Sequence, residues 1–360
     1  MSPVDMTPVN FASPIPEIVQ AFAFMIGAAV GSFLNVCIYR IPIEGLSVNS
    51  PRGSFCPGCK TPLRWFENLP IIGWLWLRGK CRTCSVPISF RYPFVEILTA
   101  VLFLLALKLV GVSTLLVNPF GMPGGFLLAA WLWISCVIVV SGIDLDHRII
   151  PDRFSIPMTC LVLLFAGLNP LLGLAPLPES SSVVEGWLWA IGTGSILGYA
   201  FQRWVPNWSG NRRNFSESVL AYVAGFQLGG ILCLWVSVSL PWSQLLASRE
   251  GGALFGAMVG AGLIWGIGLI GQWIFRKPAM GFGDVKWMGM LGATVGAVPV
   301  VISFFLACLL GSVIGLYLRL RKGQQYIPFG PFLSSGAILW IFARPQLEQL
   351  WAAYMGLFQG

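Results

Sequence analysis

Runs of about 20 apolar residues recur along the chain, and this feature decides most of what it can fold into. A helix of that length crosses the hydrocarbon of a bilayer and satisfies its own backbone hydrogen bonds, which lipid cannot do for it. The runs fall at 17–39, 93–112, 124–143, 154–175, 186–205, 219–240, 252–275 and 299–318, with a last one near 330–343. A short segment at 285–297 brings the count to nine or ten, depending on whether it crosses alone. The predicted fold class is an all-α polytopic membrane protein of about 9–10 transmembrane helices with a small cytoplasmic loop domain that binds zinc. Composition agrees: 10% of residues are charged, against about 25% in a soluble domain. A disordered chain, a collagen-like chain and an ordinary soluble enzyme are excluded. No internal repeat of domain size is evident; the glycine-rich segments 184–205 and 252–275 read as small-residue helix packing.

Charge sets the orientation. The one long polar stretch, 40–92, carries Arg40, Arg52, Lys60, Arg64, Arg78, Lys80, Arg82 and Arg91 against Glu44 and Glu67. Excess Lys and Arg mark cytoplasmic loops, so the N-terminus is expected outside. Alternation then puts Arg148 and Arg153, Arg203, Arg212 and Arg213, Arg276 and Lys277, and Arg319, Arg321 and Lys322 inside. Of the 22 basic residues only Lys108, Arg249 and Arg344 fall on the other side. The net charge of +8 therefore speaks for topology, not for nucleic acid. Residues 1–17 contain no basic residue, so no cleaved secretory signal is expected. The chain divides into 1–39 with the first helix, a cytoplasmic domain at 40–92, and a polytopic region at 93–360.

Within 40–92, Cys56-Pro-Gly-Cys59 and Cys81-Arg-Thr-Cys84 form CxxC–x21–CxxC. Two such turns supply four thiolates for a tetrahedral Zn2+. Four protein ligands leave no open position, so the site reads as structural, and so small a loop domain needs the metal to fold. A reducing cytoplasm disfavours the alternative of disulfides. The other five cysteines, Cys37, Cys136, Cys160, Cys233 and Cys308, lie in apolar runs as small hydrophobes.

Of five aspartates, four gather at span ends: Asp144, Asp146 and Asp152 in GIDLDHRIIPD, and Asp284 in Met280-Gly281-Phe282-Gly283-Asp284. Acids at membrane helices are costly and mark function. Gly281 and Gly283 permit close approach of another backbone beside the Asp284 carboxylate. Two converging carboxylates share a proton, and such a pair can serve as general base and general acid. Each acid also has a structural reading. Asp146 and Asp152 read as a solvated helix end and a cap, and His147, the lone histidine, as interfacial. Lys286 either balances charge at the interface or steadies Asp284.

Taken together, these motifs resemble those of the bacterial type IV prepilin peptidases, or leader peptidase/N-methyltransferases, which are GxGD membrane aspartyl proteases. The resemblance rests on Gly31-Ser32-Phe33-Leu34-Asn35-Val36 with Arg40 and Pro42, then the four cysteines, then Arg91-Tyr92-Pro93 with Glu96. It continues through Ile143-Asp144 before Pro151-Asp152, Gly281-Phe282-Gly283-Asp284-Val285-Lys286, and Pro328-Phe329-Gly330-Pro331-Phe332. It implies catalytic roles for Asp144 and Asp284, with Gly281, Gly283, Lys286, Glu96, Asn35 and Arg40 binding substrate or supporting the site. It also implies prepilin or pseudopilin substrates cut after a leader glycine, S-adenosylmethionine as methyl donor, and a bacterial inner-membrane location with the active site facing the cytoplasm. No Rossmann-type glycine loop marks a site for that cofactor, and the sequence sets no oligomeric state. The 140 residues between Asp144 and Asp284 exceed the family's expected spacing, through an extra segment at about 176–250. Competing readings are a transporter or channel, a non-catalytic secretion scaffold, and a presenilin-like protease. The first expects acids at the bilayer midplane and leaves the cysteines without a role. The scaffold needs neither motif aspartate, and the last explains neither the cysteine loop nor GSFLNV.

Overall fold

The computed structural model describes residues 17–43, 45–49, 53–56, 58–110, 122–164, 249–276, 280–322 and 327–356. The predicted spans at 186–205 and 219–240, the end of 154–175 and nearly all of the extra segment at about 176–250 lie outside them. The described residues are mostly helical, with turns and bends through the loop before the third helix, and β-structure among them is confined to isolated bridges such as Phe55–Pro62 and Lys80–Pro87. The helices are α1 (Glu17–Arg40), α2 (Ile72–Trp76), α3 (Arg91–Val110), α4 (Met122–His147), α5 (Asp152–Leu164), α6 (Arg249–Phe275), α7 (Phe282–Val295), α8 (Ala297–Lys322) and α9 (Gly330–Gly356). Five are long and apolar enough to cross a membrane: α1, α3, α4, α6 and α8. They match the predicted spans at 17–39, 93–112, 124–143, 252–275 and 299–318, and α9 runs past the predicted 330–343.

The chain splits into two compact units, Met1–Ile149 and Ile150–Gly360. In the first, α1, α3 and α4 pack together because small residues let backbones meet. A Cβ on Gly27 would stand 2.6 Å from the Ala100 Cα. Close van der Waals packing of this kind replaces the hydrophobic effect, which lipid abolishes between helices. Phe103 stacks on Trp131 at 4.7 Å, and the Trp131 indole N–H donates to the Phe103 carbonyl at 3.1 Å. Ile18, Phe22, Met25 and Phe33 of α1 remain exposed, as lipid-facing side chains should.

In the second unit, α7 is the central element. At 14 residues it spans about 21 Å, short of the roughly 30 Å hydrocarbon core. Every residue of Trp287–Val295 is buried, which identifies the 285–297 segment as an enclosed helix shorter than a full span. Gly256 and Gly292 abut so closely that a Cβ on either would strike the other's carbonyl, and Gly260 abuts Met288 in the same way. This is the small-residue packing predicted for 252–275. The Trp287 indole N–H donates to the Ser334 hydroxyl of α9 at 3.0 Å. Gly296, at φ 93°, ends α7 and leads into α8.

Candidate functional site

The loop between α1 and α3 folds as two equivalent turns. In the first, the Cys56 N–H donates to the Thr61 carbonyl at 3.0 Å and the Lys60 N–H to the Cys56 carbonyl at 2.9 Å. In the second, the Cys81 N–H donates to the Val86 carbonyl and the Ser85 N–H to the Cys81 carbonyl, both at 2.9 Å. Lys60 and Ser85 take matching left-handed conformations, at φ 59° and 57°. The pair is a short internal repeat, C-x-x-C-x-x-P, too brief to stand out in the sequence.

All four sulfurs lie within 4.8 Å of one another. Tetrahedral zinc with Zn–S bonds of about 2.3 Å sets sulfurs about 3.8 Å apart. Cys56 and Cys84 are 3.7 Å apart and Cys59 and Cys81 3.8 Å, so the donor set fits a metal such as zinc. Hydrogen bonding with the Thr61 side chain and backbone lowers the Cys59 thiol to about 6. The Cys84 thiol receives a backbone hydrogen bond involving Val86, which acts downward. Burial and the three neighbouring cysteines outweigh it and push Cys84 up to about 12. Four crowded thiols resist ionising together, and a bound cation removes that conflict.

Buried polar side chains tie this loop to the helices. Arg40, ending α1, donates to the carbonyls of Val48 at 2.9 Å and Gly53 at 2.8 Å. Asn35 donates through Nδ2 to the Tyr92 carbonyl at 3.1 Å, clamping α1 to the start of α3. Glu96 accepts the Ile71 N–H at 2.6 Å, which holds Ile71 at φ 63°, a costly conformation for a β-branched residue. Glu67 joins the two turns: it accepts the Arg64 N–H at 2.9 Å and pairs with the Arg82 Nε at 2.9 Å. In the sequence Glu67 is simply an acid in a basic stretch, with no other signal of this role. Between the loop and the ends of α1 and α3 lies a cavity of about 340 Å³, lined by Asn35, Arg40, Phe55, Glu67, Tyr92 and Glu96 among others.

Asp144 is buried near the end of α4, with its carbonyl accepting the Arg148 N–H at 2.9 Å. Asp146, read from sequence as a solvated helix end, is half-exposed but bound: Arg91 Nη1 donates to both its oxygens at 2.5 Å, and Nη2 to the Gly142 carbonyl at 3.2 Å. In the second unit, Asp152 opens α5 and pairs with Lys286 at 2.6 Å. Lys286 therefore has a carboxylate partner, and its ammonium also sits 5.2 Å from the Phe282 ring centroid.

Asp284 lies in the first turn of α7, where the helix presents the positive end of its dipole. The glycines of its motif have separate reasons. A Cβ on Gly281 would stand 3.2 Å from Asp284 Oδ2, so the carboxylate folds back over Gly281. A Cβ on Gly283 would stand 3.0 Å from the Cβ of Ile150. The motif is thus two close approaches around one acid.

Comparison with known proteins accounts for both units. Residues 25–109 match the model of the bacterial peptidase A24 N-terminal domain, and residues 126–316 that of the type IV leader peptidase family. A prepilin leader peptidase/N-methyltransferase of Aeromonas hydrophila is 30% identical over 92% of this chain and 94% of its own length. A protein of the same name from Klebsiella pneumoniae is 34% identical over 66% of this chain and 95% of its own, so this chain is the longer. One from Stutzerimonas stutzeri is 28% identical over 93% and 95%. No solved structure matches significantly. With a family model covering more than half its length and a helical, membrane-crossing architecture, the chain belongs to the type IV leader peptidase family.

Proposed function

We propose that the chain cleaves the basic leader of type IV prepilins or pseudopilins after its glycine, using Asp144 and Asp284 as the catalytic pair. The reading is carried by the position of each acid: Asp144 buried at a helix end, and Asp284 held over Gly281 in the first turn of a buried helix. The names of the relatives support the substrate. The ionised carboxylate takes a proton from water, whose oxygen attacks the scissile carbonyl carbon. The protonated partner donates to the carbonyl oxygen, giving a gem-diol; the first carboxyl then passes its acquired proton to the nitrogen as the C–N bond breaks, and the partner recovers a proton from a gem-diol hydroxyl as the new carboxyl forms. The first helix at 1–39 and the zinc domain at 40–92 present the leader to the protease region at 93–360. The distribution of Lys and Arg supports a cytoplasm-facing site in the bacterial inner membrane. N-methylation of the new terminus with S-adenosylmethionine then follows.

The test is cleavage of purified prepilin by the detergent-solubilised protein, read by mass spectrometry, with Asp144→Asn and Asp284→Asn beside wild type. Each variant is expected to fall by at least about 10⁴-fold while remaining folded, the scale seen when a catalytic group that acts as part of a unit is removed. Full activity in either variant refutes the pair.

A further inference from the structure

We propose that residues 65–76 of the loop dock on the headgroup layer of an anionic lipid bilayer, the same membrane that α1 and α3 cross. Trp65 and Trp76 are 78% and 76% exposed, and Leu69, Ile72 and Leu75 are between 40% and 61% exposed. A contiguous apolar face of this kind, rimmed by polar residues, marks an interaction surface. The face is built on a fixed frame. Ile72, Leu75 and Trp76 share one side of α2 at helical spacing. Gly73 and Trp74 hold the other side to the loop: a Cβ on Gly73 would strike the Glu67 carbonyl, and the Trp74 indole N–H donates to the Ile88 carbonyl at 3.0 Å. Glu96 keeps Ile71 at φ 63°, so the strain of that turn goes into holding α2 in one orientation.

Depth identifies what covers the face. The crossing part of α3, Arg91–Leu109, has 19 residues and spans about 28 Å, close to the roughly 30 Å hydrocarbon core. Arg91 therefore marks one edge of the hydrocarbon. Glu96 stands about 7.5 Å further in along the helix, between Phe94 and Leu98, which are exposed on this crossing helix and so face lipid. Side chains on a helix lean toward its N-terminus. The Glu96 carboxylate thus leans back toward the edge, where it accepts the Ile71 N–H at 2.6 Å. A loop residue held there lies at the boundary of headgroups and acyl chains, and Ile72–Trp76 continues directly from it. Interfacial helices seat their apolar face about 5–10 Å into that boundary. Charge agrees. Arg64, Arg78 and Lys80 flank the face and are exposed. Across 53–90 the sole acid is Glu67, which is buried and paired with Arg82. Tryptophan favours the headgroup level, and Lys and Arg lay their stems on apolar surface while reaching lipid phosphate. The zinc turns are thereby held against the bilayer instead of standing free in water.

The test is fluorine NMR of the fluorotryptophan-labelled, zinc-loaded full chain in nanodiscs of phosphatidylglycerol. The chain has 16 tryptophans, so the two indoles are identified by the resonances that vanish in Trp65→Phe and in Trp76→Phe. Each is then broadened either by lipid carrying a nitroxide near the top of its acyl chain or by a water-soluble gadolinium chelate. Both resonances should broaden several-fold more with the nitroxide lipid than with the chelate. Nanodiscs of phosphatidylcholine should weaken the lipid effect, and so should Arg78→Gln combined with Lys80→Gln in the anionic discs. Ile72→Glu combined with Leu75→Glu, in protein that retains zinc, should open Trp76 to the chelate. Should that variant lose its zinc, the wild-type comparison decides alone. Stronger broadening by the chelate than by the nitroxide lipid overturns the proposal, as does indifference both to lipid charge and to the Arg78 and Lys80 substitutions. Protection from the chelate that arises only when prepilin is added would assign the face to substrate and overturn it equally.

Discussion

Gly283→Ala isolates the role of backbone contact in the aspartate motif. The added Cβ would lie 3.0 Å from Ile150 Cβ, 3.5 Å from its Cγ1 and 3.6 Å from its N, whereas ordinary contact begins at 3.4 Å. The turn, or Ile150, must therefore shift by at least about 0.4 Å, taking the 3.4 Å contact less the 3.0 Å approach. Ile150 has little freedom to yield: Pro151 follows it, and Asp152 is anchored to Lys286 at 2.6 Å. The displacement thus falls on the residue after Gly283, which is Asp284. A misplacement of 1 Å at a catalytic group costs about 10²-fold, so 0.4 Å on a logarithmic scale costs roughly 6-fold. Steady-state cleavage of a prepilin peptide should show kcat down by about 5- to 10-fold with KM little changed, since the transition state suffers more than substrate binding. Stability should fall by about 1–3 kcal/mol as overpacking. Because the collision is with Ile150 Cβ, Ile150→Ala should not restore the rate in this background, whereas Ile150→Gly should. Gly266→Ala, with nothing within 4 Å of its added Cβ, is the control that keeps full activity. A Gly283→Ala enzyme at wild-type kcat, or rescue by Ile150→Ala equal to that by Ile150→Gly, would refute the reasoning.

Three further outcomes concern the first unit. Cys59→Ser should abolish zinc retention, measured by elemental analysis, and change the fluorescence of Trp65, Trp74 and Trp76 by loosening the loop; zinc retained at full stoichiometry would contradict the tetrahedral site. The Cys59 thiol is more acidic folded, at about 6, than at its ordinary 9.0, so its stabilising ionised form is complete above about pH 9 and is lost as pH falls through about 6. Protons compete with metal in the same direction, so zinc affinity should fall as the pH is lowered, measured by zinc retention across an acid titration; retention independent of pH would contradict thiolate ligation. The Arg91–Asp146 pair is half-exposed on both sides, so a double-mutant cycle should give only about 0.2–1 kcal/mol, shrinking with added salt; a coupling several times larger would mean that the pair is more enclosed than its exposure indicates.

The sequence made the membrane helices and the metal turns legible for one reason: their physics is local. A span such as Ala297–Arg321 is visible because lipid demands one continuous apolar run. The cysteines are visible because a CxxC turn offers two thiolates to one cation, and the two turns meet with sulfurs 3.7 and 3.8 Å apart across them. What escaped was set by partners distant in the chain. Glu67 is an ordinary acid until folding brings Arg82 beside it. Asp146 is a solvated helix end until Arg91, at the start of another helix, reaches it. Glu96 stood out through its family motif, yet nothing in that motif announces that its carboxylate would fix Ile71 in a left-handed turn.

The same division explains why α7 was only half legible. Its length followed from the short apolar run before Gly296, but its burial did not, because alternation of lipid-facing and protein-facing residues is what betrays a helix's surroundings. Trp287–Val295 has no polar face to show: it reads as a lipid-exposed segment or an enclosed one with equal ease. The deciding information sits in the partner, where Gly256 and Gly260 strip side chains from α6 at the points facing Gly292 and Met288. A 14-residue helix is too short to cross the hydrocarbon core alone, so its position is set by the helices it packs against, and its first turn carries Asp284. The glycine contacts that enclose α7 therefore fix the position of the helix that carries the carboxylate. Glycine-to-alanine changes at Gly256 or Gly260, remote from the motif, should consequently act on Asp284 through the helix that bears it.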